Sequence, residues 1–356
     1  MQLADALRRG NNNFDLLRLI AAVMVIVGHS YALVPVKGEI DPVLSLVGFA
    51  HSGSLAVKFF FFLSGILVTN SLLQKRDIVE FTTMRALRVV PAIAVCSAIL
   101  ALIVGPIFTT DQNYFSNPQV FRFIWGNSII NIQYTLPGVF ENLPFNAVNA
   151  SLWTIPYEVC AYLALAGLFL VGALNNKHVA AAICVFFIVD SLIPQGGFFL
   201  YFYSNDEVRF LPFSFALGAL CAIYKDRIDV SLKLSVGLIL LNYIFWFTVA
   251  QQALFYAAVF FTAIFVSTLK PVVKLTPKWD ISYGIYVYGW PAQQIVASVL
   301  PGIPRSVDMP LTIAIAVACG CLSWVFIERP ALKFGRNLML PRIPGRTQAE
   351  TRSRTS

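Results

Sequence analysis

The sequence predicts an all-α protein, a polytopic bundle of about ten transmembrane helices with both termini on the cytoplasmic side. Three observations lead to this fold class. The 356 residues are 58% hydrophobic and only 12% charged, with a mean hydropathy of +0.72. Apolar runs of spanning length recur between short polar turns. Lys and Arg collect in alternate connecting segments, as the positive-inside rule describes for multi-pass proteins.

The ten predicted spans each approach the length of about 20 apolar residues that a helix needs to cross a membrane. The boundary between the seventh and eighth spans is weak, because the two apolar runs meet at Gln251. The predicted spans cover residues 16–36, 54–73, 89–108, 152–172, 178–195, 208–224, 232–249, 251–269, 282–301 and 310–328.

The distribution of Lys and Arg predicts the orientation. With a cytoplasmic N-terminus, most of these residues fall in inner segments and few in outer segments. This pattern accounts for the net charge of +8 without a nucleic-acid partner. We therefore expect a multi-pass protein of the cell inner or plasma membrane, in contact with membrane lipids. The outer basic residues are Lys37, Lys58, Arg122, Arg209 and Arg305.

Two regions are predicted along the chain. Residues 1–334 form the membrane domain, and residues 335–356 form a disordered basic cytoplasmic tail near the anionic inner leaflet. The longest outer segment, about 109–151, is rich in turn residues and is a candidate cover for the outer mouth of a site. The six cysteines lack zinc-ligand spacing and only three histidines occur, so no metal site is expected.

The first span carries ionisable residues on one face. Arg18 and His29 are about three helical turns apart, roughly 16 Å along the axis, and Asp15 lies one turn before Arg18. Ionisable groups inside a span usually face a cavity or a partner and indicate a functional site. The alternative is that Arg18 reaches the headgroups and pairs with Asp15, while His29 is a buried, hydrogen-bonded histidine.

A second group of ionisable residues is predicted at the depth of His29. Glu158 lies about seven residues, roughly 10 Å, inside the outer end of the fourth predicted span. Lys58 enters from the same side at slightly shallower depth. A histidine beside a carboxylate is the arrangement of a general base. The alternative is a structural ion pair between Glu158 and Lys58, with no role for His29.

The inner end of the third span shows a different chemistry. Arg85 and Arg88 lie three residues apart on one helix face, and Arg18 lies at a comparable depth. Guanidinium groups suit phosphate because their planar fork binds it through two hydrogen bonds. The alternative is ordinary basic flanking of a span. These three arginines are therefore candidate ligands for a phosphate-bearing molecule.

Taken together, these segments resemble the membrane acyltransferase-3 family, which includes O-antigen and exopolysaccharide O-acetyltransferases, from about residue 12 to 334. Five family motifs occur in order, with the spacing of the second shortened by one residue. The family's fifth motif contains a histidine where this chain has Gly289. The matching positions are Arg18 and His29; Phe61 to Gly65, with Ser64; Arg85, Arg88 and Pro91; Ser151, Trp153 and Glu158; and Ser282, Tyr283 and Tyr286.

The resemblance implies an O-acyltransferase that moves an acyl group, commonly acetyl, from cytoplasmic acyl-CoA to a hydroxyl of a cell-surface or periplasmic carbohydrate or lipid-linked glycan. Acyl-CoA is then a co-substrate. Arg18, Arg85 and Arg88 would hold the donor phosphates. His29 would act as general base or carry the acyl group itself, and Glu158 would orient His29 or take a proton.

Seven further residues are expected to support this site, and two other classes of protein stay open. One class is a proton-coupled transporter or a flippase of a glycan or lipid-linked sugar. Its broken helices are disfavoured here because most prolines lie at span ends. The other class is a structural membrane scaffold. The supporting residues are Asp15, Lys58, Ser64, Trp153, Tyr157, Ser282 and Tyr286.

Overall fold

The computed structural model describes residues 1–36, 38–193, 197–198 and 206–339, and these residues form an all-helical bundle without β-strands. Lys37, the end of the fifth predicted span at 194–195 and the tail at 340–356 lie outside the described residues. Each predicted apolar run falls on a helix. The helices are α1 Phe14–Leu33, α2 Ser52–Lys75, α3 Ile78–Phe108, α4 Ile155–Leu170, α5 Lys177–Asp190, α6 Asp206–Ile223, α7 Leu232–Ile244, α8 Gln251–Ser267, α9 Ser282–Val299 and α10 Arg305–Met339.

Several of these helices have the properties of membrane spans. Five are long and apolar enough to cross a bilayer: α1, α2, α3, α10, and α4 together with the 3-10 turn Ala150–Thr154 that precedes it. Helices α7 and α8 are apolar but shorter. An apolar helix of such length satisfies its own backbone hydrogen bonds inside lipid. The chain is thus an all-α membrane protein.

Helix α2 lies at the centre of the bundle, and its neighbours approach it very closely. A Cβ atom at Gly65 of α2 would lie 2.2 Å from the carbonyl oxygen of Phe215 on α6. A Cβ atom at Gly218 of α6 would lie 2.2 Å from the carbonyl oxygen of Phe62 on α2. Membrane helices associate through such small residues because they let the backbones pack directly. The glycines therefore set the crossing of α2 and α6.

Helix α9 is the other deeply buried helix, and α1 and α10 pack on it. Gly284 of α9 faces Gly320 of α10, where a Cβ atom would lie 2.7 Å from the Gly320 Cα. At Gly289 a Cβ atom would lie 2.9 Å from Cγ1 of Ile26 on α1. The histidine that the family motif places at Gly289 would therefore need the Ile26 side chain or α1 to shift.

The segment 145–151 runs into the bundle before α4 begins, and Val148 and Asn149 are fully buried there. Its carbonyls accept hydrogen bonds from α9: Ala147 from the Trp290 indole at 2.8 Å and from Gln294 at 2.8 Å. Asn149 donates to the Val287 carbonyl at 2.9 Å. Non-helical backbone at membrane depth is stable only when protein groups satisfy it in this way. Helix α4 therefore starts inside the bundle, deeper than the sequence predicts.

The last helix continues beyond the predicted end of the membrane domain. Residues Trp324–Glu328 form a π-helical turn within α10, and the helix then runs to Met339, so the predicted boundary at 334 falls inside it. Gly335 contacts α3, where a Cβ atom would lie 2.4 Å from Cδ1 of Leu87. The end of α10 is thereby held against the start of α3.

Replacing Gly65 tests the crossing of α2 and α6. We expect Gly65→Ala to lower stability by about 1–3 kcal/mol, because its new methyl group overlaps the Phe215 carbonyl. Gly237→Ala on α7 is the matched control, since nothing lies within 4 Å of its Cβ position. There alanine should be neutral or slightly stabilising, as its helix propensity exceeds that of glycine. The readout is the apparent melting temperature in detergent, and equal values for the two variants would contradict the packing.

Candidate active site

A cavity of about 600 Å³ lies among α1, α2, α3, α4, α9 and α10. It is situated at the end of the bundle that the sequence predicts to be cytoplasmic. It brings together all three arginines predicted to bind phosphate. Its principal charged and polar lining residues are Arg18, Arg85, Arg88, Glu158, Tyr162 and Asp280.

Arg88 is the centre of a network of ion pairs in the wall of this cavity. Its guanidinium donates to Asp280 at 2.8 Å and pairs with Glu328 at 3.1 Å. It also lies over the rings of Tyr283 and Trp324, at 5.6 and 5.7 Å from their centroids. The Glu328 side chain is only 1% exposed. Arg88 is therefore a structural cation that joins α3, α9 and α10, rather than basic flanking of a span.

Asp280 connects this network to α1. Arg18 pairs with Asp280 at 3.5 Å, so the alternative pairing of Arg18 with Asp15 is not found among the described residues. Burial alone would raise the pKa of Asp280, but Arg88, Arg18 and a hydrogen bond from Ser282 hold it below its ordinary value. The Asp280 carboxylate therefore stays ionised at neutral pH and balances part of the arginine charge.

Arg85 differs from the other two arginines. It lines the cavity, yet in the described part of the chain it makes no ion pair and no hydrogen bond. Its charge is therefore available to an anionic ligand, whereas Arg18 and Arg88 already have carboxylate partners. The sequence could not separate the roles of the two arginines of the RxxR motif.

Glu158 lies with the arginines and not with His29. It lines the cavity and accepts a hydrogen bond from Tyr162, one turn along α4. The predicted contact with His29 and the alternative ion pair with Lys58 are both absent from the described residues. The physical reason is the start of α4 inside the bundle, since this moves Glu158 inwards to the level of Arg85.

His29 lies further along α1, outside the lining of the cavity. Its ring packs edge-to-face on Trp290 at a centroid distance of 4.9 Å, and its Nδ1 is buried without a hydrogen-bond partner in the described part of the chain. A buried polar atom without a partner calls for an explanation such as a catalytic role.

The cavity ends about one helical turn short of His29. Its deepest residues include Phe60, Thr154 and Tyr286, and Trp290 follows Tyr286 by four residues, roughly 6 Å along α9. The Tyr286 hydroxyl is held by the Ser151 carbonyl and the Thr154 hydroxyl, each at 2.5 Å. Tyr286 of the cavity lining thus lies one helical turn from Trp290, which contacts His29.

The predicted supporting residues divide between four places. Ser64, Ser282 and Tyr286 line the cavity. Trp153 and Tyr157 pack on each other at a ring-centroid distance of 5.9 Å near the start of α4.

Lys58 and Asp15 lie apart from them. Lys58 is buried and pairs with Glu207 at 2.9 Å, in a cluster with Ser54 and His51. Asp15 is half-buried at the start of α1, near Asp280 and Arg18. The contact between Lys58 and Glu207 replaces the shared site that the sequence predicted for Lys58 and Glu158.

Two carboxylates that sequence reasoning missed complete the site. The sequence analysis gave neither Asp280 nor Glu328 a role. A usable signal was present, because acidic residues beside apolar spans at the predicted inner end require cationic partners. Arg18 and Arg88 were candidate cations at that end, but both were assigned to phosphate binding.

The helical fold and the cavity lined by three arginines define a membrane protein with a cationic cavity among its helices. The chain belongs to the acyltransferase-3 family, because the family's model, described as an acyltransferase domain, matches residues 11–328. It is similar to an O-acetyl transferase of Shigella phage Sf6, with 32% identity over 90% of this chain and 95% of the relative. It is also similar to Nodulation protein 10 of Rhizobium leguminosarum bv. viciae, with 28% identity over 93% of this chain and 96% of the relative. No solved structure matches.

The two arginines of the RxxR motif should differ when each is replaced by leucine. Arg88→Leu leaves Asp280 without its 2.8 Å partner and Glu328 buried without a cation, which costs about 3–5 kcal/mol. Arg85→Leu removes no ion pair and should change stability by only about 0.5 kcal/mol. Thermal unfolding in detergent provides the comparison, and a larger loss for Arg85→Leu would contradict the assignment of Arg88 as the structural cation.

Proposed function

We propose that this membrane acyltransferase is an O-acetyltransferase that takes acetyl from acyl-CoA and delivers it to a hydroxyl of a cell-surface or periplasmic carbohydrate, free or lipid-linked. One observation carries the proposal. A cavity with the unpaired cation of Arg85 in its wall ends one helical turn from His29, whose Nδ1 lacks a partner among the described residues. The printed name of the phage Sf6 relative supports O-acetyl transfer.

The topology that we propose has ten spans, with both termini and the mouth of the cavity on the cytoplasmic side of the inner membrane. The ten helices that cover the predicted apolar runs support the span count. The predominance of Lys and Arg at one end of the bundle supports the orientation. Lys75 and Arg336 line the cavity at that end. A cytoplasmic mouth is where a cytoplasmic acyl-CoA would enter.

Donor binding in this proposal uses the three arginines unequally. Arg85 contacts a phosphate directly, because it forms no ion pair among the described residues, although Glu158 lies near it in the same cavity wall. Arg18 and Arg88 are shared with Asp280, so they contribute a positive field and a rigid wall. A phosphate needs concentrated positive charge with good hydrogen-bond geometry, and guanidinium groups supply both. The pantetheine arm would extend from Arg85 towards Phe60 and Tyr286.

The chemistry that we propose centres on His29. His29 takes the proton of the acceptor hydroxyl, the hydroxyl oxygen attacks the thioester carbonyl carbon, and the carbon–sulfur bond breaks to release the CoA thiolate. A second route transfers the acyl group first to His29 and then to the acceptor. Of the two roles predicted for Glu158, proton exchange inside the cavity fits its position, because it lies beside Arg85 rather than His29.

Label transfer from radiolabelled acetyl-CoA in membrane vesicles tests this function. Wild type should label an extracted native glycan, and His29→Ala should abolish labelling because no other group takes the proton of the acceptor. Arg85→Ala should raise the KM for the donor about tenfold or more, since it removes a charge-assisted hydrogen bond to phosphate. His178→Ala, an exposed histidine at the start of α5, is the control and should behave as wild type.

Two results would contradict the proposal. Undiminished labelling in His29→Ala would remove His29 from the chemistry. Movement of a glycan across the vesicle membrane without covalent change, together with no labelling from any acyl-CoA, would favour the transporter or flippase. The buried ionisable residues of the bundle would then belong to a transport pathway.

A further inference from the structure

The mouth of the arginine cavity carries two cations that no family motif includes. Lys75 at the end of α2 and Arg336 near the end of α10 both line the cavity, and both are exposed. They lie outside the deeper group of Arg18, Arg85 and Arg88. The cavity therefore has cations at two levels, one in its wall and one at its rim.

The position of Arg336 follows from close packing between α10 and α3. At Gly335 a Cβ atom would lie 2.4 Å from Leu87 Cδ1 and 3.2 Å from the Met84 sulfur. The adjacent Arg336 is thus held beside the turn of α3 that carries Arg85. Gly335 is buried in an otherwise exposed helix segment, because it packs directly on α3. This packing places the adjacent Arg336 over the mouth of the cavity.

The two rim cations differ in how much charge they offer. Lys75 pairs with Glu80 at 2.5 Å, so part of its charge is already balanced. Arg336 makes no ion pair and no hydrogen bond in the described part of the chain, which leaves its guanidinium available. The strongest anion-binding group at the rim is therefore Arg336, with Lys75 as a weaker neighbour.

An acyl-CoA donor has anionic groups that match this arrangement. Its pyrophosphate joins the pantetheine arm to the nucleoside, and a separate phosphate is attached to the ribose 3′ position. If the pantetheine arm points into the cavity, the pyrophosphate follows it inside and the ribose phosphate stays nearer the mouth. Cations at two depths therefore match the two anionic groups of such a ligand, the pyrophosphate and the ribose phosphate.

We propose that Arg336, assisted by Lys75, binds the ribose 3′-phosphate of the donor, while Arg85 binds the pyrophosphate. This inference rests on the proposed function, because it assumes an acyl-CoA donor in the cavity. It predicts that the enzyme selects 3′-phosphorylated donors over donors that lack this group. The selectivity comes from the rim of the cavity, outside the family motifs.

Comparison of acetyl-CoA with acetyl-3′-dephospho-CoA tests the assignment in the purified full-length protein reconstituted in lipid. Wild type should have a KM about tenfold or more lower for acetyl-CoA. Arg336→Gln should remove most of this difference by weakening acetyl-CoA alone, with kcat and the KM for the dephospho donor unchanged. Lys75→Gln should remove a smaller part. Lys333→Gln, an exposed cation on the same helix segment outside the cavity lining, should retain the full difference.

Other outcomes would overturn the inference and are distinguishable from one another. If Arg336→Gln weakens both donors equally, the residue acts through general charge or through folding. If its effect appears only in bilayers with anionic lipid and not in zwitterionic bilayers, Arg336 binds a lipid phosphate instead. If wild type transfers acetyl from neither donor and binds neither of them, the proposed function itself has failed.

Discussion

The ion-pair network of Arg88 is the constraint on which the rest of the site depends. A guanidinium and a carboxylate at membrane depth are stable only together, because each loses the hydration that water would provide. Arg88 satisfies this requirement with Asp280 and Glu328, and it thereby connects α3 to α9 and α10. Once Arg88 is fixed in the wall, Arg85 one turn away lines the cavity near Glu158 without forming an ion pair among the described residues. The network thus gives two neighbouring arginines different functions.

The buried segment 145–151 decides which residues share a level. Its backbone is stable inside the bundle because side chains of α9 hydrogen-bond its polar groups. The Trp290 indole, for example, donates to the Ala147 carbonyl. Since α4 starts only after this segment, Glu158 lies beside the arginines, and Trp290 of α9, which bonds the segment, also packs on His29. One irregular segment therefore separates the predicted partners Glu158 and His29.

Hydrophobic periodicity and charge distribution were sufficient to predict the helices and to bring Arg18, Arg85 and Arg88 to one end of the bundle. These two patterns could not predict the depth of Glu158. The turn residues before α4 indicate a surface loop, and the hydrogen bonds from α9 that hold this segment inside the bundle leave no trace in the sequence. The two patterns also missed Asp280 and Glu328, whose partners lie 192 and 240 positions earlier in the chain at Arg88. Long-range pairing of charges is a property of the packed bundle and leaves no local pattern.

The separation of His29 from the cavity lining is consistent with the demands of chemistry across a membrane. Under the proposed function, the donor arrives from one side and the acceptor from the other, and an open channel between them would leak ions. The Tyr286 hydroxyl is held by Ser151 and Thr154 at the part of the cavity lining nearest to Trp290, which contacts His29. A pantetheine arm that displaced Tyr286 would fill the space it opened. Under the proposed function, an occupied cavity would then bring the thioester towards His29 without leaving open space behind it.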